Sequence, residues 1–152
     1  MIPPSLSVTE DAGVNSPPAI LAVRSDQQEL PPGETVVFDR GAGMINLTLI
    51  DTDLTDTLYV RVFIDYTVGD PTPARASCTS APPEPAAAQR SVTCDVSSVC
   101  KPGDVGKPPL NMSVVVFDRM LLESGTPAFQ AMQMGGLKTS LFYFLTCQEP
   151  TQ

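Results

Sequence analysis

Residues 58–65 read Leu-Tyr-Val-Arg-Val-Phe-Ile-Asp. In an extended chain, successive side chains point to opposite sides. Leu58, Val60, Val62 and Ile64 therefore share one face, and Tyr59, Arg61, Phe63 and Asp65 share the other. Large side chains on both faces need cover on both, so a strand over residues 58–68 belongs in the interior of a sheet. The same period of two recurs elsewhere. Ile45, Leu47 and Leu49 oppose Asn46 and Thr48 in residues 44–50, and Met112, Val114 and Val116 share a face in residues 110–117. In residues 139–147, Leu141, Tyr143 and Leu145 oppose Phe142 and Phe144. Shorter strand-like pieces fall at residues 19–23, 35–38 and 90–95.

Turn chemistry separates these pieces. Leu30-Pro31-Pro32-Gly33-Glu34 and Arg40-Gly41-Ala42-Gly43 carry the residues that fix or relax the backbone at a reversal. Residues 69–90 contain five prolines, which exclude a central strand and predict a long loop. A single helical turn is expected at residues 96–100, a loop at 101–109 and a longer excursion at 118–136. About seven short strands and no convincing amphipathic helix make the chain all-β. The expected architecture is an immunoglobulin-like, two-sheet antiparallel sandwich with long loops. A closed barrel is the alternative, and the unequal loop lengths favour the sandwich. At 152 residues the chain suits one domain, expected over residues 19–149. Residues 1–18, bracketed by Pro3-Pro4 and Pro17-Pro18, read as a flexible proline-containing tail.

Four cysteines stand at Cys78, Cys94, Cys100 and Cys147. Zinc sites use close cysteine pairs, usually with histidine, and this chain has neither. Two disulfides are the expectation, with three pairings open. Disulfides imply an oxidising setting, so an extracytoplasmic location is expected: periplasm, cell surface or medium. Met1-Ile2-Pro3-Pro4 shows no signal-peptide pattern, which leaves that expectation resting on the cysteines.

The absence of histidine also bears on chemistry. It removes the commonest general base and the usual activator of a serine or cysteine nucleophile. No catalytic residues are legible, and the chain is expected not to be an enzyme. Net charge is −8, with the basic residues scattered singly. Nucleic acid needs a clustered basic face, so it is not an expected partner. No apolar run approaches the roughly 20 residues that cross a bilayer as a helix.

The run Leu47-Thr48-Leu49-Ile50-Asp51-Thr52-Asp53-Leu54-Thr55-Asp56-Thr57-Leu58-Tyr59-Val60 resembles the strand–turn–strand of bacterial immunoglobulin-like and cadherin-like domains. In those domains an Asp-Pro-Asp-Gly-Asp-Thr-Leu type of turn joins two strands; here Thr52 replaces the proline and Leu54-Thr55 the glycine. Val62-Phe63-Ile64-Asp65-Tyr66 and Val114-Val115-Val116-Phe117-Asp118-Arg119 look like sandwich domains of envelope lipoproteins from predatory and social proteobacteria. The resemblance implies a surface-anchored or secreted β-sandwich. Antibody-type domains are excluded, because the chain has no tryptophan for their Cys…Trp…Cys core.

Two candidate sites follow. Asp51, Asp53 and Asp56 space three carboxylates through one turn, and calcium takes six to eight hard oxygen ligands. The stretch lacks the EF-hand spacing, and aspartate also forms turns through its own backbone hydrogen bonds. Ordinary turn chemistry is therefore the expected role, with calcium the only cofactor considered. The second candidate is the apolar part of the excursion: Met120, Leu121, Leu122, Phe129, Met132 and Met134. Methionine-rich surfaces adapt to partners. The same side chains could instead fold back over the core. The expected function is a non-catalytic structural or interaction module, with a protein partner on the cell envelope or self-assembly. Calcium or small-ligand binding is the alternative.

Overall fold

A computed structural model describes residues 15–150. These residues form eight strands: β1 Ala19–Ser25, β2 Thr35–Asp39, β3 Met44–Ile50, β4 Leu58–Ile64, β5 Ala76–Ser80, β6 Gln89–Asp95, β7 Leu110–Phe117 and β8 Lys138–Gln148. A single 3-10 turn spans Pro102–Asp104. The strands form a three-stranded sheet in the order β1-β3-β6 and a five-stranded sheet in the order β2-β8-β7-β4-β5. Two packed sheets make this a sandwich-like all-β fold.

The core lies where the alternation puts it. Ile45, Leu47 and Leu49 of β3 face Leu58, Val60, Val62 and Ile64 of β4, with Met112, Val114 and Val116 of β7 and Tyr143 and Leu145 of β8. All of these are buried. Burial pushes the Tyr143 phenol up to about 12, and its hydroxyl donates to the Leu30 carbonyl at 2.9 Å. As expected of an interior strand, β4 pairs with β5 on one side and β7 on the other.

Four details differ from expectation. An eighth strand, β5, lies inside the proline-rich stretch. It pairs with β4 alone within its sheet, and all five prolines lie outside its span, so none removes a ladder donor. Strand β4 stops at Ile64 because Asp65 takes φ 53°, the left-handed region, and turns the chain. Strand β2 runs parallel to β8, so the five-stranded sheet is not wholly antiparallel. Residues 96–100 form a turn closed by the Val99 N–H on the Val96 carbonyl, and the only helical residues described are Pro102–Asp104.

All four cysteines are paired, Cys78 with Cys94 and Cys100 with Cys147. The first bridge joins β5 to β6 and so ties an edge of one sheet to an edge of the other. The second ties the turn after β6 to the end of β8. Their Cα separations, 5.3 and 5.7 Å, lie in the usual disulfide range. Two disulfides point to an oxidising, extracytoplasmic setting.

A second, smaller apolar cluster covers the outer face of the five-stranded sheet. Phe63, Val115 and Phe117 point away from the main core yet are buried, with Tyr59, Tyr66, Leu121 and Met132 packed on them. The Phe63 and Tyr66 rings are tilted against each other at 5.0 Å. Strand β8 begins at one end of the sandwich, where the Thr139 hydroxyl donates to the Pro18 carbonyl. It ends at the other, where Arg40 forms a two-pronged pair with Glu149.

Candidate functional site

Three segments meet at the end of the sandwich where β8 begins. They are the β3–β4 turn (residues 51–57), the β7–β8 excursion (118–137) and residues 15–18. The tail expected over residues 1–18 lies outside the described residues except for its last four. Two of those four hydrogen-bond to the loops. Asn15 donates from Nδ2 to the Asp118 carboxylate and to the Gly135 carbonyl, and the Ser16 N–H donates to Asp53 Oδ2 at 3.2 Å. Asp118, almost wholly buried, also accepts the Leu137 N–H at 2.7 Å and so closes the base of the excursion.

The three aspartates of the turn converge. One carboxylate oxygen from each of Asp51, Asp53 and Asp56 lies within 4.8 Å of the others. The turn is held by main-chain bonds: Asp51 N–H to the Ala88 carbonyl at 2.9 Å, and Asp56 N–H to the Asp53 carbonyl at 3.0 Å. Asp51 has no accessible surface. Its Oδ1 accepts the Asp53 N–H at 2.9 Å, which is the turn-forming role expected of aspartate. Its Oδ2 is buried without a partner, and so is Oδ2 of Asp56. Burial, together with the Asp56 and Asp53 charges and the Asp56 carboxyl standing close enough to share a proton, pushes the Asp51 carboxyl up to about 6, against the lowering effect of the Asp53 N–H.

Two arginines stand beside this cluster. Nη1 of Arg119 lies 3.5 Å from Asp56 Oδ1 and 3.8 Å from Asp118 Oδ1. Arg90, buried on β6, donates from Nη1 to the main-chain carbonyls of Asp56 and Ser80, while its Nε and Nη2 have no protein partner. A buried arginine on a strand with Val92 and Cys94 on the same face was not foreseen. In sequence, Arg90 simply opens the alternation of residues 90–95.

The apolar side chains of the excursion divide into two groups. Leu121 and Met132 pair across the loop and pack on the Phe63, Val115 and Phe117 cluster, as folding back predicts. Met120, Leu122, Phe129 and Met134 stay exposed, Met120 to 67% and Phe129 to 45%. Phe129 is held at φ 65°, a conformation uncommon for a bulky side chain. The Tyr66 hydroxyl donates to the Ala128 carbonyl next to it.

Tyr66 also lines a shallow groove of about 310 Å³ on the outer face of β7 and β8, with Asn111, Ser113, Phe142 and Phe144. Phe142 is 65% exposed and Phe144 48%. Tyr66 therefore connects this groove to the excursion. Phe142 and Phe144 were not singled out as site residues. Their alternation against Leu141, Tyr143 and Leu145 was the available signal, because it sent two phenylalanines to the face away from the core.

Compared with known proteins, the chain matches no family model and has no significant match among curated sequences. Among the described residues, no helix is long and apolar enough to cross a membrane.

Proposed function

We propose that the chain is a non-catalytic interaction module of a secreted or surface-anchored protein. Its docking face is the outer side of the five-stranded sheet, from Phe144 and Phe142 through Tyr66 to Phe129 on the excursion. The observation that carries this reading is the pair Phe142 and Phe144, exposed side by side on a strand and continuous through Tyr66 with an apolar loop tip. Single exposed apolar residues are ordinary, but a contiguous aromatic patch marks an interaction surface. Leu121 and Met132 anchor the loop from beneath, so its tip is presented on a packed base. Rigid presentation lowers the ordering cost of binding.

The strand order supports an immunoglobulin-like identity. The order β1-β3-β6 corresponds to strands A-B-E, and β8-β7-β4 to G-F-C of that sandwich. The Cys78–Cys94 bridge joins sheet edges rather than the B and F strands, which agrees with a relationship outside the antibody type. An envelope lipoprotein setting fits the two disulfides. The non-catalytic reading is supported by the missing histidine and by the burial of Asp51, which puts its carboxylate out of reach of an organic substrate.

A photo-crosslinking amino acid placed at position 129 or 142 tests the proposal in the cells that make the protein. Crosslinks from both positions should converge on one protein, which is a second copy of this chain if the module self-assembles. Leu54, exposed on the β3–β4 turn, is the control position. Crosslinks equally scattered at 54, 129 and 142 would refute the docking face.

A further inference from the structure

We propose that Asp51, Asp53 and Asp56 form a calcium site at the β3–β4 turn. The inference is independent of the docking face. It rests on two observations. The first is the convergence of three carboxylates within 4.8 Å. The second is the burial of two carboxylate oxygens, Oδ2 of Asp51 and Oδ2 of Asp56, with nothing donating to either.

A buried acceptor without a donor is unfavourable, and a buried negative charge more so. Asp51 is the extreme case, since the whole side chain is hidden from solvent. The nearby guanidinium groups do not relieve it. Arg90 directs Nη1 to main-chain carbonyls, and Arg119 stands at 3.5 Å from the other oxygen of Asp56. With Asp118 included, four carboxylates face two guanidiniums, a surplus of two negative charges, which is the charge of one divalent cation.

The three oxygens lie within 4.8 Å of one another, close enough to share one ion. Calcium accepts an irregular set of carboxylate and water oxygens, whereas magnesium demands near-octahedral geometry and gives up its water reluctantly. The main-chain bonds from Asp51 to Ala88 and from Asp56 to Asp53 hold the turn in place, so little ordering accompanies binding. Asp53 and Asp56 are partly exposed, which leaves the ion a way in, and water completes the remaining coordination.

The test uses the full chain with disulfides intact, stripped of metal with a chelator, and calcium chloride as the probe. Calcium at about 5 mM should raise the melting temperature by about 5 °C, given a dissociation constant near 0.1 mM. Magnesium at the same concentration should do markedly less. Asp51→Asn and Asp53→Asn should each abolish the calcium-dependent rise. Should Asp51→Asn fail to fold, the partly exposed Asp53→Asn alone decides. Asp26→Asn, in the turn after β1, should retain the rise. No calcium-dependent shift in the wild type, an equal shift with magnesium, a shift retained in Asp53→Asn, or one lost in Asp26→Asn would each overturn the site.

Discussion

Removing the two disulfides one at a time should destabilise the protein by different amounts, and loop length sets the expected order. Cys78 and Cys94 are 16 residues apart, Cys100 and Cys147 are 47 apart. A bridge restrains the unfolded chain more when it closes a longer loop. The chain-entropy relation gives about 3 kcal/mol for the shorter loop and about 4 kcal/mol for the longer one. For a domain of this size each kcal/mol moves the melting temperature by roughly 2–4 °C, so the longer bridge corresponds to roughly 8–16 °C. The variants are the alanine pairs Cys78→Ala with Cys94→Ala, and Cys100→Ala with Cys147→Ala. Equilibrium urea unfolding followed by circular dichroism reads both stability and its slope against denaturant. The slope should steepen in both variants, because an unfolded chain without the cross-link exposes more surface. Removing both bridges should cost about 7 kcal/mol, which exceeds the lower part of the usual stability range and should leave the chain largely unfolded. Losses below about 1 kcal/mol for both bridges would refute the reasoning, as would a larger loss for the 78–94 pair with unchanged slopes.

Phe63→Ala should cost about 3–5 kcal/mol in urea unfolding, although Phe63 points away from the main core, because Tyr59, Tyr66 and the excursion together bury it completely. Leu121→Ala should lower stability measurably in the same assay, whereas Met134→Ser, at a fully exposed position, should change it by less than about 0.5 kcal/mol. Although burial pushes the Asp104 carboxyl up, the Lys101 N–H and the Arg75 guanidinium at 2.6 Å more than offset it and hold the group below its ordinary value. A depressed carboxylate stabilises the fold above its unfolded pKa and loses that contribution as pH falls through the folded one. Asp104→Asn should therefore flatten part of the fall in melting temperature on acidification below about pH 4, and an unchanged acid limb would count against the pair.

Much of the fold was legible because burial on one face imposes a period of two. Residues 44–50, 110–117 and 139–147 showed that period, and they became β3, β7 and nearly all of β8. Strand β5 escaped notice because Ala76, Cys78 and Ser80 are small and prolines stand close on both sides, at positions 73 and 82; its inward face is nearly invisible to a hydrophobic pattern. The parallel pairing of β2 with β8 joins residues more than 100 positions apart, and no local signal encodes it. The disulfide pairing was hidden for the same reason, since Cys78 meets Cys94 only when the two sheets lie edge to edge.

The candidate site was legible in part. The spacing of Asp51, Asp53 and Asp56 was plain, but the burial of Asp51 depends on how the turn leaves β3. In the excursion nothing periodic separates Leu121 and Met132, which pack inward, from Met120 and Met134, which do not. That division is set by the cross-loop pairing of Leu121 with Met132 over Phe63 and Phe117.

The parallel alignment of β2 and β8 has a mechanical consequence. Asn15 is fixed at one end of the sandwich and Glu149 at the other. Tension drawn between these residues first loads β1 against β3, and once β1 has given way it pulls β2 and β8 in opposite directions along their lengths. The ladder from Thr35 opposite Phe144 to Asp39 opposite Gln148 is then loaded in shear, with its hydrogen bonds sharing the force at once rather than opening one after another. The Cys100–Cys147 bridge sits on the same strand, so 47 residues of chain cannot pay out even after the ladder slips.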